Sequence, residues 1–153
     1  EMNQRLIDLG AEAGIDYDFD RYLSVNTRDA HRLLHLAHER GLGVQMKERL
    51  MRAQFTEGAR VDDHPTLIAL AVELGLTEDE VREVLESEAF DDAVAADIAQ
   101  AAAYGATGVP FFVFDHAFAV SGAQSVETFE LALSKARQAR EAADDAQEAP
   151  ARA

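Results

Sequence analysis

Val109 and Pro110 have the residue types and spacing needed to present main-chain atoms to an extended ligand. Pro110 begins an apolar run, a position in a strand that tolerates a residue without an amide hydrogen. X–Pro bonds are cis in roughly 5% of cases in folded proteins, and a cis bond here would expose the Val109 amide and carbonyl. Thr107 and Gly108 complete the loop, where glycine permits close approach of another backbone. From the residues alone, a trans proline that ends a loop is the simpler interpretation, and a functional cis loop is the alternative. Thr107, Gly108, Val109 and Pro110 are therefore candidate substrate-binding residues.

Gln124 lies in a second candidate segment, the turn Ser121–Ser125. Ser125 precedes a predicted helix, and the free N–H groups of a first helical turn favour a carboxylate. An ordinary strand-to-helix turn with Ser125 as N-cap explains the same residues more simply. We keep Gln124 as a secondary substrate-binding residue.

The chain contains no cysteine, so none of its residues can perform thiol chemistry. Disulfides, thiolate metal sites and cysteine nucleophiles are therefore excluded, and we expect no catalytic residue. His31, His35 and His38 fall on one stripe of a predicted helix and could hold zinc with a water as fourth ligand. Polar residues at the border of an amphipathic helix explain them more simply, so we predict no metal site.

The charge of the chain limits its partners. Its 153 residues carry a formal net charge of -15, which disfavours nucleic acid and anionic membrane surfaces. No apolar run approaches the roughly 20 residues of a transmembrane helix. The first residues show neither the basic nor the apolar region of a signal peptide, so the default expectation is a cytoplasmic protein.

Hydrophobic periodicity and capping residues predict many helices and little sheet. Helices are expected at 2–13, 28–40, 43–56, between Asp63 and Gly75, and at 77–86, 89–104 and 125–140. Two apolar strands, 111–114 and 117–120, form a predicted hairpin. Strict alternation of apolar residues predicts a further short strand or extended segment over 15–20.

The hairpin indicates that a larger sheet is needed. Phe111–Phe114 is apolar on both faces, which is typical of a central strand covered by helices on both sides. A two-stranded hairpin alone is marginal in water, so we expect most of the sheet to lie outside these residues. The expected organisation is a mostly helical domain at 1–104, a ββα unit at 105–140 and a disordered tail at 141–153.

Four segments resemble the DsbA-like thioredoxin family, and most closely its FrnE-type members. They are TGVPFFVFD at 107–115, AVSGAQ at 119–124, NTRDAHRLL at 26–34 and FTEG at 55–58. The resemblance covers about residues 2–137. It implies an α/β, helix-rich, thioredoxin-like fold with a large helical insertion, whose N-terminal βαβ part is missing or incomplete here. In that family the βαβ part carries Cys-x-x-Cys, and Val109 and Pro110 match the cis-proline loop beside it.

The resemblance implies a thiol–disulfide oxidoreductase without a cofactor, acting on a thiol or disulfide of a protein or small molecule. This chain itself should be redox-inactive, because it lacks the cysteines. One alternative is a glutathione-dependent isomerase or transferase of the same fold, which would use Ser or Cys on the absent helix. Another is a non-enzymatic helical interaction module. The apolar hairpin also makes a homodimer an expected assembly.

Overall fold

The computed structural model describes the backbone of residues 2–148. Its elements are α1 (Met2–Glu12), α2 (Arg28–Glu39), α3 (Gly43–Phe55), α4 (His64–Glu73), α5 (Glu78–Glu86), α6 (Asp91–Ala103), β1 (Phe111–Phe114), β2 (Phe118–Ser121) and α7 (Val126–Glu148). The chain divides between Ala96 and Asp97, inside α6, into two compact units. We call residues 2–96 the helical unit and residues 97–148 the hairpin unit. The sequence pattern placed this division after residue 104.

The core of the helical unit is built by α2, α3, α4 and α5. Each contributes a stripe of apolar residues three or four positions apart, which places them on one face of the helix. The largest fully buried side chains, one from each helix, are Leu33, Met46, Leu67 and Val81. α2 packs against α3 and α5, and α4 packs against the same two helices.

Local capping fixes where two of these helices begin. Asp63 accepts a hydrogen bond from the Thr66 amide at the start of α4. Thr77 and Glu80 form a reciprocal capping box at the start of α5, as the sequence predicts. At α2, Thr27 takes the N-cap position without a side-chain bond, and the Asn26 side chain accepts from the Arg28 amide instead. In each case the side chain satisfies an amide that has no partner within its own helix.

Arg32 is the only charged residue among the buried side chains of the described residues, with 4% of its surface exposed. Its guanidinium donates to the carbonyl oxygens of Val84, Ser87 and Ala89, the last at 2.7 Å. It also donates to the Asp29 carboxylate at 2.9 Å. A buried charge is tolerated only when its donors are satisfied. Here the acceptors are carbonyl oxygens in the last turn of α5 and in the segment before α6, together with the Asp29 carboxylate of α2.

Of the two alternatives predicted for 15–20, a short strand or an extended segment, the strand is wrong, because the structure has irregular chain at 15–18 and a turn at 19–20. Tyr17 and Phe19 stack with ring centroids 5.2 Å apart, and Tyr17 meets Phe55 edge-on at 6.2 Å. The Asp18 amide donates to the Phe55 carbonyl at 2.8 Å. Apolar alternation here serves aromatic packing on the end of α3, and no strand of the described residues pairs with it.

The hairpin unit contains β1 and β2, which pair antiparallel with Phe111 opposite Ser121 and Phe114 opposite Phe118. β2 ends one residue later than predicted. Three residues, Asp115–Ala117, connect the last pair instead of the predicted two. Asp115 and His116 both have positive φ, and the Ala117 amide donates to the Phe114 carbonyl at 3.1 Å. α7 packs on both strands.

α7 extends further than the sequence pattern indicates. We predicted its end near Arg140 and a disordered tail from residue 141, but residues 141–148 are helical. They are Ala, Glu, Asp and Gln with no glycine or proline before Pro150, so nothing ends the helix there. Residues 149–153 of the expected tail lie outside the described residues. Within residues 2–148, no helix is both long and apolar enough to cross a membrane.

Candidate functional site

The loop Thr107–Pro110 is exposed along its whole length. Val109 has 94% of its surface exposed, the largest value among the exposed apolar side chains of the described residues. A Cβ added to Gly108 would meet no atom within 4 Å, so open space surrounds that residue. The Val109–Pro110 peptide bond is cis. The structure thus places four of the predicted site residues in one accessible segment.

One hydrogen bond joins this loop to the second predicted segment. The Gly122 amide donates to the Pro110 carbonyl at 2.8 Å, one residue beyond the register of the hairpin. Gly122 has φ of 82°, a left-handed conformation that glycine adopts without a Cβ penalty. Gln124 is exposed, and its side-chain amide donates back to the Ser121 carbonyl at 2.9 Å. The amide nitrogen of Gln124 thus supports the turn.

A second contact holds the chain that enters the loop. The Tyr104 hydroxyl lies 2.6 Å from Nδ1 of His116, which joins the end of α6 to the hairpin turn. Segment 104–110 is therefore fixed to the hairpin near its start, by Tyr104, and at its end, by Pro110. The sequence analysis missed this pair. Its only signal would have been two hydrogen-bonding rings flanking a predicted strand, which is too weak a pattern to predict a contact.

The backbone at Val109 is free to bind a ligand. Within the described residues, neither its amide nor its carbonyl has a backbone partner. β1 pairs with β2 on one edge, and across residues 2–148 no strand lies on its other edge. An extended chain with free N–H and C=O groups is the binding mode that such a backbone serves. Thiol exchange requires a thiolate, which no residue of this chain can supply.

A carboxylate of the chain itself lies at the start of α7. A hydrogen bond from Ser125 lowers the pKa of the Glu127 carboxyl from its usual value. The Ser125 hydroxyl also lies 3.3 Å from the Thr128 hydroxyl. The chain's own carboxylate therefore already lies at the helix N-terminus that the sequence offered as an alternative anion site.

Comparison with known proteins places this loop in a family. The model of the DSBA-like thioredoxin domain matches residues 1–134. The chain belongs to the DsbA-like thioredoxin family. The predicted helix-rich α/β, thioredoxin-like fold is confirmed.

A solved structure gives the same DsbA-like assignment. The crystal structure of a protein described as a probable DsbA oxidoreductase from Streptomyces coelicolor is 43% identical, with a TM-score of 0.82. The match covers 88% of this chain and 58% of that one, so the chain spans less than two thirds of that DsbA-like protein. None of the curated proteins matches the chain.

The three histidines of α2 lie in different environments in this DsbA-like chain. His35 stacks on Phe90 with ring centroids 6.0 Å apart, whereas His31 and His38 are exposed. Across the residues that the structure describes, no three His, Cys, Asp or Glu side chains form a group that could hold a metal ion.

Proposed function

We propose that this chain supplies the substrate-binding loop of a thiol–disulfide oxidoreductase whose redox cysteines lie outside these 153 residues. The observation that carries the proposal is the exposed loop Thr107–Pro110, with an unpartnered Val109 backbone, in a member of the DsbA-like family. The related Streptomyces coelicolor structure, described as a probable DsbA oxidoreductase, supports the same class of activity. We assign the chain to the FrnE-type branch on the motifs of the loop, the turn and α2.

Each predicted residue has a distinct role in this proposal. The Val109 amide and carbonyl bind the backbone of an extended thiol- or disulfide-bearing substrate. Pro110 holds the loop against Gly122 through its carbonyl oxygen. Gly108 leaves room for the approaching chain, Thr107 contributes an exposed hydroxyl, and Gln124 supports the turn.

The glutathione-dependent alternative is less well supported. Glutathione carries carboxylates, and one of them would occupy the N-terminus of α7 in that alternative. Glu127 already lies there, with its pKa lowered by Ser125, and a second carboxylate would meet like charge. We therefore favour a longer extended peptide over glutathione as the substrate.

A titration of the 15N-labelled chain with an extended peptide tests the proposal. The peptide carries serine in place of its cysteine, so that binding is measured without chemistry. We expect amide shifts at Thr107, Gly108, Val109, Phe111 and Gln124, since Pro110 has no amide hydrogen. The Gly108→Val variant should weaken binding at least fivefold, because its side chain fills the open space beside Val109. Ala117→Val, at the other end of the hairpin, is the matched control and should leave binding unchanged.

Two outcomes would contradict the proposal. Shifts confined to the helical unit would place the ligand elsewhere, and equal affinity of the two variants would remove the role of the loop. The chain alone should also fail to reduce insulin disulfides, because it contains no thiol.

A homodimer through the hairpin is a further proposal, favoured by one observation. Phe112 in β1 remains 41% exposed although it packs on Phe129 at 4.8 Å. An uncovered apolar strand with an open edge can pair with a second copy. Sedimentation velocity at increasing concentration should detect the dimer; a constant monomer mass would refute it.

A further inference from the structure

The helical unit contains a cavity of about 260 Å³ between α2 and α3 that the function proposed above does not use. One wall is a stripe of α3 with the spacing of a single helix face, made of Lys47, Leu50, Met51, Gln54 and Phe55. The facing wall comes from α2, with Ala30, His31 and Leu34. The lining is mostly apolar, with polar groups at defined positions.

The size of the cavity suits one ring-sized group with substituents. An apolar cavity of roughly 150 Å³ is sufficient to bind benzene. The larger volume here leaves room for polar groups at the ends of such a ring. Specific small-molecule sites have this composition, an apolar lining with a few convergent polar atoms.

Gln54 provides an unused acceptor in this lining. The residue is only 7% exposed, and its side-chain amide nitrogen donates to the Leu23 carbonyl. That bond fixes the orientation of the amide, and Oε1 is left buried without a partner within the described residues. Buried polar atoms are nearly always satisfied, so this oxygen lacks a donor. The flexible thioether side chain of Met51 beside it can move to admit one.

Lys47 provides a cation at the other end of the same stripe. It precedes Gln54 by seven residues, which separates their backbones by roughly 10 Å along α3. In a chain of net charge -15, Lys47 makes no ion pair with any acidic side chain that the structure describes. Arginines of the same helix, Arg49 and Arg52, do pair with Glu57. Lys47 is thus available to an anion.

We propose that this cavity binds a small organic acid with a ring-sized apolar body, a hydrogen-bond donor at one end and a carboxylate at the other. The donor reaches Gln54 Oε1, the ring lies on Leu50 and Met51, and the carboxylate pairs with Lys47. His31 lies on the facing wall, where its ring can donate to the same carboxylate. This binding is independent of the thiol–disulfide activity.

Three matched compounds test the proposal on the unaltered chain by calorimetry and NMR. 3-(4-Hydroxyphenyl)propionate carries both end groups, 3-phenylpropionate lacks the donor, and N-acetyltyrosine amide lacks the carboxylate. We expect the first to bind most tightly and each of the others to lose about fivefold, the effect of one net hydrogen bond or ion pair. Shifts should map to α2 and α3.

Variants connect each loss to one residue. Gln54→Met should weaken 3-(4-hydroxyphenyl)propionate to the level of 3-phenylpropionate. It should weaken N-acetyltyrosine amide by a similar factor, because that compound carries the same hydroxyl, and leave 3-phenylpropionate unchanged. Lys47 is exposed, so the Lys47→Met variant should fold. It should weaken the binding of both acids and leave the binding of N-acetyltyrosine amide unchanged. Gln45→Met, outside the cavity on the same helix, and Lys135→Met, the other lysine of the chain, are the controls.

The proposal is wrong if no compound binds at millimolar concentration, in which case the cavity holds only water. Binding of N-acetyltyrosine amide equal to that of the acids would show instead that the cavity takes a peptide side chain. Equal binding of 3-phenylpropionate and its hydroxyl analogue would remove the role of Gln54. None of these results depends on thiol chemistry, so failure here leaves the proposed function untouched.

Discussion

The Gly122 amide donates to the Pro110 carbonyl oxygen at 2.8 Å, and this bond joins the exposed loop before β1 to the turn after β2. It lies at the open end of the hairpin, one residue beyond the last paired position. The loop therefore depends on the conformation of a turn more than ten residues away in sequence.

Gly122→Ala should destabilise the hairpin by about 1 kcal/mol, because an L-residue at positive φ is strained. Gly108→Ala is the control, since its Cβ would enter open space and its φ is not positive. Hydrogen exchange of the β1 and β2 amides measures both. Faster exchange in both variants, or in neither, would contradict the assigned role of Gly122.

Arg32→Met should destabilise the helical unit by about 3 kcal/mol or more, because three carbonyl oxygens and Asp29 lose a buried donor. Arg82→Met is the control: Arg82 is exposed and pairs only with Glu78 and Glu86 on its own helix. Its loss should cost no more than about 0.5 kcal/mol. Urea unfolding followed by circular dichroism compares them, and similar midpoints would argue against the buried role of Arg32.

Acid should weaken the helical unit through Asp29. Burial raises the pKa of this carboxyl, but hydrogen bonds from His64 and Arg32 outweigh burial and hold the pKa below its usual value. Because the pKa is lower in the folded state, the stabilisation is complete above the unfolded value of about 3.9 and is lost as pH falls through the folded value. A carboxyl 13C titration should show this low pKa.

His64→Ala removes one partner of Asp29, at 3.0 Å, and should raise the pKa of Asp29 toward its usual value. His38→Ala, at an exposed position of α2, the helix that carries Asp29, should leave the pKa of Asp29 unchanged. An unshifted Asp29 titration in the first variant would mean that Arg32 alone sets its pKa.

Thr77→Ala should cost about 1 kcal/mol, because the Thr77 hydroxyl accepts from the Glu80 amide and donates to the Glu80 carboxylate. The bond from the Thr77 amide to the Glu80 carboxylate remains in the variant. Thr77→Ser keeps the hydroxyl and should restore most of the stability. Thermal unfolding of the two variants measures the difference; equal loss in both would show that the methyl group matters more than the hydroxyl.

The features that local chemistry determines could be predicted from the sequence. The capping box needs only Thr77 and Glu80 three residues apart, and the hairpin needs only two apolar runs separated by a short turn. The loop at Val109 and Pro110 was predicted mainly from the resemblance to the DsbA-like family, because proline and glycine alone left a trans bond as the simpler alternative. The end of α7 carries no such local signal, because no stop residue lies near Arg140, where the helix was predicted to end.

Contacts between distant segments could not be predicted in the same way. Arg32 bonds carbonyl oxygens more than fifty residues away, and every residue has a carbonyl, so no pattern of types identifies its partners. The segment 15–20 alternates like a strand, but Tyr17 packs edge-on against Phe55 and Phe19 stacks on Tyr17. Gln54 was assigned no role because an unpaired oxygen becomes visible only when the surrounding helices are in place.

The contacts of Arg32 also determine which mutations the segment from Val84 to Ala89 can accept. The guanidinium binds the main chain of this segment, because its three partners there are carbonyl oxygens and none is a side chain. Substitutions at exposed Glu86 or Glu88 leave those oxygens in position, whereas one inserted or deleted residue moves them out of reach. At its exposed positions the segment should tolerate substitutions, whereas a change of its length should not be tolerated.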